Sequence, residues 1–360
     1  MMNKNWCIRF LITTALLLLF FGGMTFFADP YFHYRGPREG LRYRIYNERY
    51  QNDGIVKHFP YDALITGSSM TENFKTSELD ALFDVNSVKT AFSGGTFREV
   101  NENLRRAFLT HPDLKSIVRG IDCEMLTNDK DRMQYKEYPG YLYDDVPWND
   151  VEYLFNSETL LQDTIYGCFL WTLTGKATTS FDDYNNWNNT FSFGKEAVLA
   201  DYERPIEAQG PPLVLNRENL VENVTALAAE YPETTFYYYF TPYSIVWFDS
   251  LEQRGQLESE LEVQEEAAEI LLNQKNIRLF GFFDETGLIT DLSRYKDIYH
   301  HDEDVNSWIL ECMERGEHEL TADNYRQYFE KLRAFYGNYD YDAIFLPESE
   351  ENDSGEADPV

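Results

Sequence analysis

The chain has 360 residues, of which 43% are hydrophobic and 16% aromatic, enough apolar material for a large core and too much for an intrinsically disordered chain. Its 62 acidic residues outnumber 31 basic ones, and the formal net charge of -31 repels nucleic acid and excludes it as a partner. The four cysteines are widely scattered without metal-ligand or disulfide spacing, and the sequence predicts neither a metal site nor a cofactor.

An apolar segment from Ile8 to Ala28 has the roughly 20 residues that a helix needs to cross a bilayer. Lys4 and Arg9 are the only charged residues up to the end of this segment, so the positive-inside rule predicts the amino terminus inside and the main domain outside. A cleaved signal peptide would show the same charged start and apolar stretch. Because Phe26 stands where a cleavage site needs a small residue, we expect an uncleaved, single-pass membrane anchor.

Short β-branched or aromatic runs alternate with helical patterns along the rest of the chain. The runs predict five strands, over Asp62–Gly67, Ser87–Phe92, Lys115–Asp122, Thr234–Phe240 and Ile277–Phe283. Apolar residues three and four apart predict helices over Thr76–Phe83, Arg98–Leu109, Arg217–Tyr231 and Leu251–Gln274. This alternation favours an α/β fold, a three-layer sandwich with a mostly parallel five-stranded sheet. Ligands of such sheets bind beyond the carboxyl ends of the strands.

The sequence divides into four parts. Residues 1–28 form a cytoplasmic stub and the anchor, 29–60 a juxtamembrane segment, 61–346 the α/β domain, and 347–360 an acidic tail that we expect to be disordered. An aromatic-rich insertion at about 123–212 has no place in a minimal version of the sheet. Its aromatic side chains suit core packing, and they also suit contacts with sugar rings.

Two strand ends are followed by turns that expose backbone. Gly67, Ser68 and Ser69 follow the first predicted strand, and Gly94 and Gly95 follow the second. A pair of glycines lets main-chain NH groups approach a ligand closely, as an oxyanion site requires. A βα connection can also use such turns for purely structural reasons, so neither turn identifies a site by itself.

A carboxylate and an imidazole stand three residues apart after the fifth predicted strand. One turn would place Asp297 beside His300, and the adjacent His301 is the other imidazole of this segment. A carboxylate on one ring nitrogen fixes the tautomer and leaves the other nitrogen free to take a proton from a serine. After the fourth predicted strand, Tyr243 and Trp247 are candidate substrate contacts.

A serine after the first strand, a glycine after the second, and Asp-x-x-His near the carboxyl end together resemble the SGNH/GDSL hydrolase-fold family. The resemblance runs from about Tyr61 to His301, and the segment Asp29–Tyr34 with the turn Gly67–Met70 is similar to the membrane-anchored extracytoplasmic branch of Firmicutes. The teichoic acid D-alanine transfer protein and polysaccharide O-acetyl-transfer proteins are more distantly similar.

The resemblance implies a role for each matching residue. Ser69 would be the nucleophile, His300 the general base and acid, and Asp297 the orienting carboxylate, with the NH groups of Ser69 and Gly94 as oxyanion donors. The family's third block normally offers an Asn side chain to the oxyanion, and this chain has Asp122 there. An ionised carboxylate donates no hydrogen bond and repels the developing charge.

Two functions from different classes follow. The first is an anchored, extracytoplasmic serine esterase or acyltransferase that acts on small acyl groups of a cell-envelope polysaccharide or teichoic acid, with a multi-spanning membrane acyltransferase as a partner in the transfer reaction. The second is a catalytically inactive SGNH-like envelope binding protein. Asp122 favours the second function, and the joint presence of Ser69, Asp297 and His300 favours the first.

Overall fold

A six-stranded sheet lies at the centre of the fold. The structure is a computed structural model that describes residues 4–134, 138–206 and 210–346. The strands are β1 (Ala63–Gly67), β2 (Ser87–Ala91), β3 (Ser116–Ile121), β4 (Thr235–Phe240), β5 (Ile277–Gly281) and β6 (Glu319–Leu320). Their order across the sheet is β2-β1-β3-β4-β5-β6. The pairs from β2 to β5 are parallel, whereas β6 runs antiparallel to β5.

The predicted α/β class with a mostly parallel sheet is confirmed, but the predicted number of five strands is wrong. Each of the five predicted strands is present, with its ends shifted by no more than a residue or two. The sixth strand is β6, which is only 2 residues long. A pair of residues is too short to show the alternation by which a strand is recognised in a sequence.

Helices connect the strands and follow the sheet. They are α1 (Lys4–Ala28), α2 (Glu48–His58), α3 (Thr76–Phe83), α4 (Phe97–Thr110), α5 (Val151–Leu154), α6 (Trp171–Leu173), α7 (Lys195–Ala200), α8 (Arg217–Leu220), α9 (Ala226–Glu230), α10 (Ile245–Gln253), α11 (Leu257–Leu272), α12 (Thr286–Thr290), α13 (Glu303–Arg315) and α14 (Tyr325–Tyr336). Two segments have π-helical hydrogen bonding, π1 (Thr159–Leu170) and π2 (Val221–Thr225).

Three of the four predicted helices are present as predicted or nearly so. The prediction over Thr76–Phe83 coincides with α3, and the prediction over Arg217–Tyr231 corresponds to the continuous run of α8, π2 and α9. The single helix predicted over Leu251–Gln274 is wrong. The chain instead ends α10 at Gln253 and begins α11 at Leu257, with Gly255 between them, a residue type that weakens helix interiors.

Apolar side chains on the two faces of the sheet belong to two different clusters. One cluster contains alternate strand residues together with apolar side chains of α4, α9, α11 and α14. These strand residues are Leu64, Ile117, Tyr238 and Leu279. The other cluster contains the next residue of each strand together with apolar side chains of α3 and α13. These strand residues are Ile65, Val118, Tyr239 and Phe280. Helices therefore cover both faces, as the buried, near-continuous apolar strands of a parallel sheet require.

The amino-terminal helix α1 is long and apolar enough to cross a membrane. The segment that follows it, 29–60, which the sequence predicts as juxtamembrane, folds onto the body. Asp29 accepts hydrogen bonds from the backbone NH groups of His33 and Tyr34, and Phe32 is fully buried. Helix α2 then packs against α4 and β2.

The aromatic residues of the predicted insertion have several environments. Tyr153 and Tyr184 are buried, and the Tyr184 hydroxyl donates to Asn52 of α2, with an O–O distance of 2.7 Å. Trp148, by contrast, is 85% exposed. Core packing therefore accounts for some of these side chains and not for others. The predicted acidic tail, 347–360, lies outside the described residues.

Candidate active site

The first turn of the site follows directly from the end of β1. Gly67 has φ +146°, and a Cβ placed there would lie 2.7 Å from the Thr71 methyl group, so this position requires glycine. The Ser68 hydroxyl accepts a hydrogen bond from the Met70 NH and caps a short 3₁₀ turn. Ser69 is the first residue of that turn, half-buried, with its hydroxyl at the carboxyl edge of the sheet.

The side chains of Ser69, His300 and Asp297 form one continuous chain of hydrogen bonds. The Ser69 Oγ lies 2.7 Å from His300 Nε2, and His300 Nδ1 lies 2.9 and 2.8 Å from the two Asp297 carboxyl oxygens. Since an aspartate accepts the Nδ1 proton, Nε2 is left free to accept from the serine. The structure thus brings together the three residues that the sequence singled out.

The Asp297 carboxylate is held in place by its own loop. It accepts hydrogen bonds from the backbone NH groups of Tyr299 and His300, at 2.9 and 2.8 Å. Burial alone would raise the pKa of Asp297, but the hydrogen bond and charge of His300 and these two NH groups lower it below 3.8. Asp297 is therefore ionised at neutral pH and can stabilise a protonated His300.

His301, the other imidazole of this segment, faces away from Ser69. It is buried, its Nδ1 contacts the Asp302 carbonyl oxygen at 3.1 Å, and its backbone pairs with Tyr295. Burial lowers the pKa of His301 to about 4, so it stays neutral at physiological pH. Of the two adjacent histidines, only His300 has the position of a base for Ser69.

The second turn presents backbone NH groups beside the serine. Gly94 has φ +58°, a left-handed conformation that favours glycine, and the Gln134 side chain lies over it. Among the described residues, the backbone NH of Ser69 and that of Gly94 have no hydrogen-bond partner. Both residues line the same cavity. Two unpaired NH groups beside a serine hydroxyl have the character of an oxyanion site.

Helix α2 supports this turn with side-chain hydrogen bonds, a role not predicted from the sequence. The Glu48 carboxylate accepts the Ser93 NH at 2.5 Å, Arg49 donates to the Ser93 carbonyl at 3.0 Å, and Asn52 donates to the Ala91 carbonyl at 2.7 Å. These three side chains lie on the first two turns of one helix. Polar residues spaced three and four apart near the start of a helix are the signal that could have indicated a buried polar face.

Glu48 also contacts a second buried carboxyl group. Burial and the neighbouring Glu48 raise the pKa of Glu72 well above 4.5, and burial likewise raises the pKa of Glu48. Buried Lys89 donates hydrogen bonds to the carbonyl oxygens of Glu72 and Phe74. Two adjacent buried carboxyl groups resist ionising together, so a proton on Glu72 is favoured beside the turn that carries Ser69.

Asp122 is part of the site, in the form of a buried carboxyl group. It follows β3, lines the cavity, and accepts a hydrogen bond from the Tyr243 hydroxyl at 3.0 Å. Burial raises the pKa of Asp122 above 3.8, against hydrogen bonds from Ser68 and Tyr243 that lower it. This environment therefore favours the neutral form of the carboxyl group more than the environment of an exposed aspartate does.

The cavity at this edge of the sheet has a volume of about 290 Å³ and is open to solvent. Its lining includes polar side chains in addition to the residues already described, namely Glu124, Asn128, Arg132, Gln134 and Tyr299. Tyr243, one of the two predicted substrate contacts, is part of this lining. Trp247, the other, is not. It is 2% exposed and packs edge-on against Tyr243 and face-on against Phe283 in the core.

Trp187, a further residue of the insertion, also reaches the site, although sequence reasoning did not single it out. The Trp187 indole lies against the His300 ring, with centroids 5.6 Å apart and planes at 89°. Its Nε1 donates to the Ser69 carbonyl oxygen at 3.4 Å. Among the residues that the structure describes, no group of three or more His, Cys, Asp or Glu side chains is arranged to hold a metal ion.

Comparisons with known proteins add little to this geometry. No protein-family model matches the chain, and no curated protein matches it. Among solved structures it is similar to one from Streptococcus pneumonia that carries the provisional name platelet activating factor, with 12% identity, a TM-score of 0.36, and coverage of 74% of this chain and 89% of that chain.

Proposed function

We propose that the chain is a membrane-anchored serine ester hydrolase or O-acyltransferase with an SGNH-like three-layer domain. The observation that carries the proposal is the hydrogen-bonded chain from Ser69 through His300 to Asp297 at the wall of an open cavity. A serine is a weak nucleophile at its own pKa and needs an adjacent base that is itself oriented by a third group. All three parts are within hydrogen-bond distance here.

The proposed reaction has two steps. Ser69 Oγ attacks the carbonyl carbon of an acyl ester, His300 Nε2 takes the serine proton, and the NH groups of Ser69 and Gly94 donate to the developing oxyanion. The ester C–O bond breaks as His300 returns the proton to the leaving alcohol. A second hydroxyl, from water or from a polymer, then gives its proton to His300 and attacks the acyl-serine, which releases free Ser69.

The cavity supports a small acyl group. A volume of about 290 Å³ with carboxyl, amide and guanidinium groups in its wall suits a short and polar acyl group. A long lipid chain would require an extended apolar channel. Because the cavity is open, the alcohol part of the ester can be a polymer that stays outside. A cell-envelope polysaccharide or teichoic acid outside the membrane is the substrate that we propose.

Two features of the proposal come from the anchor. Helix α1 would place the domain outside, beside the envelope polymers, with the amino terminus inside. A multi-spanning membrane acyltransferase that delivers the acyl group would be the partner for transfer rather than hydrolysis.

A catalytically inactive envelope binding protein is the competing proposal, and Asp122 is the observation that favours it. By the resemblance to SGNH hydrolases, this carboxyl group stands where the family offers a neutral oxyanion donor, and loss of one such donor lowers kcat by about 10²- to 10³-fold. An ionised Asp122 would oppose the reaction, whereas a protonated one would not.

Turnover of an acylated envelope polymer tests the proposal. We expect the full-length protein to release the acyl group as free acid or to move it to an added polymer hydroxyl, and Ser69→Ala to abolish both products while the protein stays folded. Full activity in Ser69→Ala would overturn the proposed role of the serine. If the native protein forms neither product with acetylated or aminoacylated polymers, the result would favour the binding protein.

A further inference from the structure

The length of α1 fixes where the membrane surface meets the body. The buried residues of α1 are Gly22, Thr25 and Ala28, all in its last two turns. The exposed apolar part before them, from Ile8 to Phe21, is about 21 Å long at 1.5 Å per residue, so a hydrocarbon core of roughly 30 Å also takes in most of these last two turns. If α1 crosses the membrane, the membrane–water interface therefore lies where its last turns contact the body.

Helices α5 and π1 form that contact. Gly22 packs against the Phe155 ring just after α5, and the hydroxyl groups of Thr25 and Thr164 lie 3.4 Å apart. Thr164 is in the middle of π1, so π1 lies beside the end of α1. The outer side of π1 is consequently at the level of the lipid headgroups and the upper acyl chains.

The side of π1 and α6 that faces away from the body is mostly apolar, although it includes the exposed Gln162. Leu161 is 56% exposed, Leu170 is 44% exposed and Leu173 is 80% exposed, and Phe155 and Tyr166 are exposed beside them. We call these five residues the apolar patch. A helix on the surface of a soluble domain carries polar residues on this side, and contiguous exposed apolar side chains mark an interaction surface.

Basic side chains border the apolar patch in a protein that is otherwise strongly acidic. The Arg35 guanidinium lies over the Phe26 ring at 4.4 Å, and that of Arg38 lies over Phe27 at 4.5 Å, both at the end of α1. The Arg42 NH donates to Thr172 Oγ1 at 2.7 Å, which places this basic segment against α6. The sequence from 35 to 44 holds four arginines and one acid, Glu39.

We propose that the apolar patch and its basic border dock the body onto an anionic lipid surface, as a second membrane contact beside α1. Apolar side chains inserted at the acyl boundary with cations at headgroup level are the arrangement of interfacial helices. Continuity with α1 and the local positive charge favour lipid over a protein partner as the occupant. The docked body then has one fixed face toward the membrane.

Fluorescence of single labelled cysteines tests this proposal on the full-length protein in vesicles of phosphatidylethanolamine and phosphatidylglycerol. Cys123, Cys168 and Cys312 are buried, so a Cys7→Ser background leaves the introduced thiol as the accessible one. An environment-sensitive dye is attached to Leu161→Cys or Leu173→Cys in the patch. Val221→Cys is the matched control, since Val221 is a 50% exposed apolar residue whose helix packs on α4.

We expect blue-shifted dye emission at both patch positions, with quenching by lipids spin-labelled near the headgroup, and solvent-like emission at Val221→Cys. Replacing phosphatidylglycerol by phosphatidylcholine should weaken the shift. Solvent-like emission at both patch positions would overturn the proposal, and so would a shift that occurs only in native membranes, which would indicate a protein partner. A dye at Leu17→Cys within α1 tests the membrane span separately from the patch. Quenching of this dye by lipids spin-labelled deep in the acyl chain shows that α1 crosses the bilayer.

Discussion

Trp187 lies edge-on against His300, with ring centroids 5.6 Å apart, and also donates a hydrogen bond to the Ser69 carbonyl oxygen. One side chain of the insertion thus contacts both the proposed base and the proposed nucleophile. The Lys296 ammonium group lies 4.4 Å from the centroid of the same indole, on the loop that carries Asp297. Trp187 therefore fixes the loop of the base against the turn of the nucleophile.

Trp187→Ala should lower kcat/KM for a small aryl acetate by about threefold to tenfold. An edge-to-face aromatic contact contributes about 0.5–1.5 kcal/mol, and 1.4 kcal/mol corresponds to a factor of ten. Trp187→Phe keeps a ring but loses the NH donor, so its kcat/KM should lie between those of the native protein and Trp187→Ala. Trp148→Ala is the matched control, because Trp148 is an exposed tryptophan of the same insertion and should leave kcat/KM unchanged. Equal rates for Trp187→Ala and the native protein would remove Trp187 from the site.

Asp122→Asn should raise the rate of acyl ester turnover, and the gain should grow with pH. Below the raised pKa of Asp122 the native carboxyl group is neutral and donates as an amide does, so the two proteins should have similar rates. Above that pKa the native group is ionised and opposes the oxyanion, whereas Asn stays neutral. The measurement is the ratio of the two rates across a pH series.

A rate that falls in Asp122→Asn at every pH would contradict this account of Asp122. It would show that the carboxylate has a role of its own, for example through its contact with the Tyr243 hydroxyl.

Glu72→Gln should make the protein more stable at alkaline pH and little changed at acidic pH. The folded pKa of Glu72 is raised well above 4.5, so the folded state holds a proton that the unfolded state releases. Stability of the native protein is then present at low pH and is lost as pH rises through the folded pKa. The free energy of unfolding, measured with denaturant at several pH values, should therefore differ between the proteins increasingly as pH rises.

Glu102→Gln serves as the control for this comparison, because Glu102 is a partly exposed surface glutamate on α4. The same pH dependence in Glu72→Gln as in the native protein would show that Glu72 is not the group that resists ionisation.

Gly94→Ala should reduce activity by up to about 10²- to 10³-fold, the range for one lost oxyanion donor. Its φ of +58° is unfavourable for alanine, and a Cβ would lie 3.3 Å from the Gln134 amide, so the backbone NH should rotate away from the cavity. Gly287→Ala is the control, because a Cβ there meets no atom within 4 Å. The decrease should be in kcat more than in KM, since the donor acts in the transition state. Native activity in Gly94→Ala would exclude this NH as a donor.

Local patterns in the sequence predicted the parts of the fold and site that depend on a few neighbouring residues. The strands and the Asp297–His300 pair are of this kind, because periodicity and a three-residue spacing specify them. The role of α2 is different, since Glu48 meets Ser93 across 45 residues of chain. The polar spacing in this helix can indicate a buried polar face but not the partner of that face, and the segment that holds the helix was predicted only as juxtamembrane.

Trp247 shows a second limit of sequence reasoning. Its distance from the end of β4 predicts that it lies at the ligand edge of the sheet, and it does follow Tyr243 into α10. Which way its side chain points depends on how α10 packs, and the stacking of Trp247 on Phe283 turns it into the core. Proximity along the chain therefore does not decide orientation, since Tyr243 lines the cavity and Trp247 lies in the core.

Covalent labelling of Ser69 tests most directly whether His300 activates it. The full-length protein is treated with a fluorophosphonate, and the modified residue is located by mass spectrometry in the native protein, in Ser69→Ala and in His300→Ala. We expect one label on Ser69, none in Ser69→Ala, and a labelling rate in His300→Ala that is reduced nearly as far, because members of a triad act as a unit. A native protein that stays unlabelled, or a label on Ser69 that forms equally fast in His300→Ala, would contradict it.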